Sequence, residues 1–190
     1  MVKFNLDQGY TGSRGHGDLF PKEQLLSTLN RIKNHVQHFD YQFIHLWSVG
    51  FFLGYAPYAP GTWGSLWAIV LAGMMQPISM AYQLIIWCCL TLLSCWTADQ
   101  TARHLGHKDP SCIVCDEVVG CWIPLMGVPF QWPWVMCAFV MFRYFDIAKP
   151  WPVRLADQRS EGWAIVLDDC IAGVYALLVC RMMLWISSGS

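Results

Sequence analysis

The sequence predicts an all-α protein, a multi-helical membrane-embedded bundle with short, interrupted helices, and three observations lead there. The composition is 55% hydrophobic and 13% charged, about half the charge of an ordinary soluble domain. Charge is missing from whole stretches: there is no Asp, Glu, Lys or Arg from Tyr41 to Ala98, from Val118 to Phe142, or after Arg181. A bilayer crossing takes roughly 20 apolar residues, so the first stretch, 58 residues long, has room for two or three, yet Gly and Pro cut parts of these runs into shorter pieces. A soluble helical core is the alternative that composition leaves open. The 190 residues divide into a polar amino-terminal tail with an amphipathic helix over 1–40 and a helical membrane domain over 41–190.

In chain order, the first 19 residues carry Gly9, Gly12, Gly15 and Gly17 among polar residues and read as a loose tail. Met1 to Asp40 is polar and charged, so no cleavable signal peptide is expected. Pro21 opens an amphipathic stretch with Leu25, Leu26, Leu29, Ile32 and Val36 on one face, suited to a membrane surface or to the protein's own core. The apolar run from Phe43 to Tyr58 contains Gly50, Gly54 and Pro57, which predicts a helix that ends early or one that enters the bilayer without crossing. After Pro60-Gly61-Thr62, a crossing is expected from Trp63 to Ser79, and a second from Ala81 to Ala98. Asp99 to Glu117 reads as a polar segment, and Val118 to Phe142 as two short pieces broken by Gly127, Pro129 and Pro133. Arg143 to Asp169 is a second polar segment, and Cys170 to Ile186 a last crossing.

The nine cysteines sit mostly inside apolar runs and behave there as small hydrophobes; Cys112 and Cys115 form a C-x-x-C with no second pair to complete a zinc site. A net charge of −1 offers no basic field for nucleic acid. Lys and Arg concentrate in residues 1–40, 99–117 and 143–169. By the positive-inside rule these three segments share the cytoplasmic side, so that 118–142 enters and returns as a hairpin.

That arrangement gathers the carboxylates on one side. Asp116 and Glu117 stand at the head of an apolar run, where a cap would need only one of them; hard oxygen pairs of this kind suit Mg²⁺. Arg143 and Asp146 are three apart on a helical face with Lys149 a turn further on. They serve either as a local ion pair or as phosphate contacts, Arg143 and Lys149, beside a metal ligand, Asp146. Asp168 and Asp169 lie in an apolar helical stretch, where two neighbouring anions need a cation to stay ionised. Pro60 to Ser65 precedes a helix and offers Gly61, Thr62 and Ser65 as a phosphate cradle, or simply as a turn and cap. His104 and His107, three apart in a polar segment without a third ligand, read as surface. No G-x-S-x-G elbow, no Pro-Ser-Gly-His, no D-x-D-x-T and no repeated-aspartate phosphotransferase signature is present.

Together these segments resemble the phosphatidylglycerophosphatase A family. The resemblance rests on Gly50-Phe51-Phe52-Leu53-Gly54 with Pro60 to Ser65, on Asp109 through Ile113-Val114-Cys115-Asp116-Glu117-Val118-Val119-Gly120, on Phe142 to Asp146 with Lys149 to Pro152, and on Asp168-Asp169 with Ala172-Gly173. They fall in family order over residues 44–178, leaving the first 40 residues outside. The resemblance implies an all-helical Mg²⁺-dependent phosphomonoesterase of the bacterial inner membrane, converting phosphatidylglycerophosphate to phosphatidylglycerol. On this reading Mg²⁺ is held by some of Asp116, Glu117, Asp146, Asp168 and Asp169, and Arg143 and Lys149 balance phosphate charge. A carboxylate off the metal, Asp169 as the first candidate, takes the proton of the water, with an aspartyl-phosphate intermediate as the alternative route. The expected partners are the phospholipid and the membrane, with the site facing the cytoplasm of a multi-pass protein. The rival reading is a transporter or proton relay with the carboxylates as an ion path, but no internal repeat is visible and the carboxylates lie at segment edges. A non-catalytic membrane subunit is a third, which independence from Mg²⁺ would favour.

Overall fold

The computed structural model describes residues 42–107, 110–153 and 162–188, and among these every regular element is helical. Residues 42–48 form a short helix, followed by a 3₁₀ turn, Leu53–Tyr55. Five longer helices follow: α1 (Pro60–Met75), α2 (Met80–Leu105), α3 (Cys115–Gly127), α4 (Trp132–Ala148) and α5 (Gly162–Ser188). The expected tail and amphipathic helix over 1–40 lie outside the described residues.

The boundaries follow local chemistry. Gly50 takes a left-handed φ of 55°, which ends the first helix where the glycine pattern predicts. Pro60 occupies the first helical turn of α1, where its fixed φ costs nothing and its missing N–H is not needed. The far end of α1 is closed by Gln83, whose Nε2 donates to Met75 O at 3.0 Å and Ile78 O at 2.8 Å, tying the first turn of α2 to orphaned carbonyls. Gly106, at φ 68°, caps α2. Lys149 closes α4 in the left-handed region, its amide donating to Phe145 O, and Pro150 prevents continuation.

α3 is the axis of the bundle: it packs on each of the other four helices, and ten of its 13 residues are buried. Its Val118, Cys121, Trp122 and Leu125 meet Ala68 and Ala72 of α1, Ala138 and Phe142 of α4, and Ala172 and Ala176 of α5. Alanines facing α3 let the backbones approach closely, the packing mode of helices that lack a hydrophobic force between them. Trp87 of α2 reaches in from the flank, donating Nε1 to Val119 O at 2.9 Å.

Several expected boundaries shift. The crossing expected from Trp63 to Ser79 is α1, which stops at Met75 after 16 residues, about 24 Å and short of a full bilayer core. α2 does not end at Ala98: Asp99 continues the helix because it pairs with Arg103 one turn on, at 2.9 Å. The break in 118–142 lies where Gly127 and Pro129 predict, but α3 begins earlier, at Cys115, and α4 runs on to Ala148. The last crossing expected from Cys170 likewise begins earlier, at Gly162, and Asp168 and Asp169 sit within this helix, as the apolar stretch around them predicts. Among the described residues, α2 and α5 are the two helices long and apolar enough to cross a membrane, by length and composition alone.

Candidate active site

Four helices deliver one end each to a single cavity of about 250 Å³. It is lined by Gly61 from the start of α1, Asp116 and Glu117 from the start of α3, Arg143 and Asp146 from the end of α4 with Lys149 just beyond, and Asp168 and Asp169 from α5. Glu117 and Arg143 face each other at 4.0 Å, so the chain leaves the site along α3 and returns to it along α4.

Two glycines make this convergence possible. A methyl group at Gly120 would stand 2.8 Å from Asp169 O and 2.9 Å from Asp169 Cβ, and one at Gly173 would collide with Gly120 O. α3 and α5 therefore touch backbone to backbone one turn from the carboxylates, which brings Asp169 against Asp116 and Glu117. On α1, a side chain at Gly61 would strike Glu117 Oε1 and come within 3.2 Å of Arg143 Nη1. Glycine at 61 thus makes room for the acidic cluster.

Five carboxylates here face two cations. Lys149 Nζ donates to Asp168 Oδ2 at 2.9 Å, and Asp168 Oδ1 accepts the Asp169 amide at 3.1 Å. Arg143 Nη1 lies 2.6 Å from Asp146 Oδ2, an ion pair whose N–H groups are not aimed for a directed hydrogen bond. Asp116, Glu117 and Asp169 each offer an oxygen within 4.8 Å of the others. Glu117 Oε2 and Asp169 Oδ2 are buried without a hydrogen-bond partner. Buried anionic oxygens left so are costly unless a cation meets them. The oxygen set fits a hard divalent ion, whose ligands lie roughly 4–5 Å apart across the shell. Burial pushes the Glu117 carboxyl up to about 8; the charges of Asp169 and Asp146 add to this, while a hydrogen bond from Asp116 and the charge of Arg143 oppose it.

Of the sequence-derived candidates, Asp116, Glu117, Arg143, Asp146, Lys149, Asp168, Asp169 and Gly61 all line the cavity. Thr62 and Ser65 do not. The Thr62 amide donates to Ala59 O at 2.9 Å and the Ser65 hydroxyl to Gly61 O at 2.9 Å, so both serve the first turn of α1. Asp99 stays away, held by Arg103. Cys112 and Cys115 are free thiols outside the lining, and His104 and His107 are exposed. Ser111, Ile113 and Ile165 also line the cavity: the first two fall inside the family stretch that begins at Asp109 without being singled out there as site residues, and Ile165 is an ordinary apolar residue of its segment.

Comparison with known proteins follows the same residues. The family model described as phosphatidylglycerophosphatase A matches residues 46–184. The chain belongs to the phosphatidylglycerophosphatase A family. It is 40% identical over 139 residues to a phosphatidylglycerophosphatase A of Haemophilus influenzae, covering 72% of this chain and 85% of the relative. Against the phosphatidylglycerophosphatase A of Escherichia coli it is 42% identical over 135 residues, 68% of this chain and 77% of that one. A candidate phosphatidylinositol-3-phosphatase of Bacteroides thetaiotaomicron is 36% identical over 146 residues, 72% and 91%. No solved structure gives a significant match. Membership of the phosphatidylglycerophosphatase A family, with the apolar helices α2 and α5 and outward residues such as Leu92 and Leu178, marks the protein as membrane-associated.

Proposed function

We propose that this protein is a phosphatidylglycerophosphatase that hydrolyses the terminal phosphomonoester of phosphatidylglycerophosphate, yielding phosphatidylglycerol and inorganic phosphate for phospholipid synthesis. The observation that carries the reading is the meeting of three mutually close carboxylates with Arg143 and Lys149 in one cavity of a chain of this family. Asp116, Glu117 and Asp169 would hold the metal, read as Mg²⁺, which when bound polarises the phosphate and offsets its charge. Arg143 and Lys149 orient the phosphate oxygens and balance charge as it builds on them. Asp146 and Asp168 set the positions of those two cations through the ion pairs they make. Asp169 would give one carboxylate oxygen to the metal, and its other oxygen takes the proton of the attacking water. Water adds at phosphorus as the P–O bond to the glycerol breaks, and the leaving oxygen takes up a proton, returned by way of Asp169 or solvent, to give the hydroxyl of phosphatidylglycerol. With α2 and α5 crossing the inner membrane, the positive-inside rule puts the site, with Arg143 and Lys149 beside it, on the cytoplasmic side.

The test is phosphate release by purified protein in detergent, with Mg²⁺ or EDTA, for wild type and Asp116→Asn. Phosphatidylglycerophosphate and phosphatidylinositol 3-phosphate would be offered separately. Release from the former that needs Mg²⁺ and falls at least a hundredfold in a folded Asp116→Asn variant is the expected result. Preference for the inositol lipid would reassign the head group. No release from either lipid by folded wild type would sink the enzymatic reading.

A further inference from the structure

A second, apolar cavity of about 130 Å³ lies between α1 and α4, lined by Ile69 of α1, Phe130 of the preceding link, and Trp132 and Val135 of α4. Its place relative to the acidic cavity is set twice over. On α1, Gly61 lines the acidic cavity and Ile69 the apolar one; on α4, Arg143 lines the first and Val135 the second. In both helices the separation is eight residues, two steps of four, which is about 12 Å along the helix and about 80° around its axis. Both helices therefore give the same spacing, and the two cavities stand at the two ends of one α1–α4 seam. Between them the seam offers no free polar group on these residues: Phe139 is part-buried on α4, and the buried Ser65 hydroxyl of α1 is already spent on Gly61 O. Gly73 keeps the apolar end open, since a side chain there would press on the Phe130 ring, 3.1 Å from its Cζ.

We propose that this seam is the acyl-chain track of the substrate: a fatty-acyl chain runs from the acidic cavity between α1 and α4 and seats its distal part against Ile69, Phe130, Trp132 and Val135. The inference rests on the phosphatase reading of the acidic cavity and adds the residues that would select the lipid's apolar part. The dimensions agree. One leaflet of hydrocarbon is about 15 Å deep, so a chain anchored by its head group reaches a point about 12 Å away. The apolar cavity has room for roughly four groups of water size, at about 30 Å³ each, enough for several methylenes. It carries no charged residue, so nothing in its lining would recompense a polar occupant for lost water. Trp132, 72% exposed at its lip, is an amphipathic ring facing outward where a chain would pass from the bilayer into the seam.

The experiment fills the cavity with Ile69→Trp, and with the smaller Ile69→Phe should the former not fold. Each full-length variant is assayed in detergent on long-chain phosphatidylglycerophosphate and on its deacylated, water-soluble counterpart. The expected result is a fall of at least tenfold in the ratio of kcat/KM for the long-chain lipid to that for the soluble ester, carried mainly by KM. An unchanged ratio, whether both activities fall together or neither moves, overturns the proposal. A second measurement does not need turnover: wild type in nanodiscs is photolabelled with a phosphatidic acid bearing a diazirine at mid-chain. Labelling concentrated on residues 69 and 130–135, and lost in Ile69→Trp, supports the track. Labelling no stronger there than on the outer faces of α2 and α5 means ordinary surrounding lipid and overturns it. Failure of wild type to hydrolyse either ester would remove the phosphatase reading while leaving the labelling result to decide the track.

Discussion

Gly120→Ala puts the α3–α5 contact to the sharpest test. The added methyl would stand 2.8 Å from Asp169 O and 2.9 Å from both the carbonyl carbon and Cβ of Asp169. Ordinary carbon contacts lie near 3.5–4.0 Å, so the helices have to separate locally by roughly 0.6 Å or more. Overpacking of this kind costs about 1–3 kcal/mol, and replacing a mid-helix glycine by alanine returns about 0.5–1 kcal/mol. The net loss of stability is therefore small, about 1 kcal/mol. The loss of function should be much larger, because the displaced residue is Asp169, whose oxygen must stay close to those of Asp116 and Glu117. A misplacement of about 1 Å in a reacting constellation can cost 10²-fold in rate. We expect Gly120→Ala to keep helical circular dichroism, to lose only a few degrees in Tm, to raise the Mg²⁺ needed for half-maximal phosphate release, and to lower kcat/KM by about ten- to a hundredfold. Activity within twofold of wild type at limiting Mg²⁺ would refute the view that this glycine sets the spacing of the site.

Three further outcomes follow from the same geometry. Glu117 is held protonated by burial up to about 8 against an ordinary value of 4.5, so its contribution to the metal-free fold is complete below pH 4.5 and lost as pH rises towards 8. Thermal melts in EDTA should show Tm falling between pH 5 and 8, and Mg²⁺ should oppose the fall most at the alkaline end and bind with release of a proton; a flat EDTA profile would contradict this. Lys149→Met strips Asp168, 7% exposed in its side chain, of a 2.9 Å ion pair. Breaking a buried pair costs 3–5 kcal/mol, but Lys149 is partly solvated, so about 1–3 kcal/mol is expected in urea unfolding, with part recovered in Lys149→Met/Asp168→Asn. Arg181 donates Nη1 to Gly127 O at 3.0 Å, at the end of α3 away from the site. Arg181→Met should cost about 1 kcal/mol and leave kcat/KM within twofold, a control that separates bundle stability from chemistry.

The sequence by itself determined that the chain is helical, where its central break falls, and which charged residues are in question. Those features are written locally. Charge deserts, Gly127 with Pro129, and carboxylates at the edges of apolar runs each report on their own few residues, because desolvating a charge or breaking a helix is a local cost. The family resemblance was legible for the same reason, in short ordered stretches from Gly50 to Gly173. What the tertiary structure decided was which of these residues meet. Asp99 and Asp169 are both acids in apolar helices, yet Arg103 keeps the first out of the site while Gly120 and Gly173 bring the second into it. The limits expected for the apolar crossings, at Ala98 and Cys170, moved because an i,i+4 ion pair and packing on α3 carry helices through charged residues. Thr62 and Ser65 looked like a cradle because a turn and a cap use the same small polar residues as an anion site, and only the direction of their hydrogen bonds separates the two. The apolar cavity between α1 and α4 had no sequence signal at all: Ile69, Phe130, Trp132 and Val135 are ordinary apolar residues of their own segments, and a cavity exists only in the space between helices.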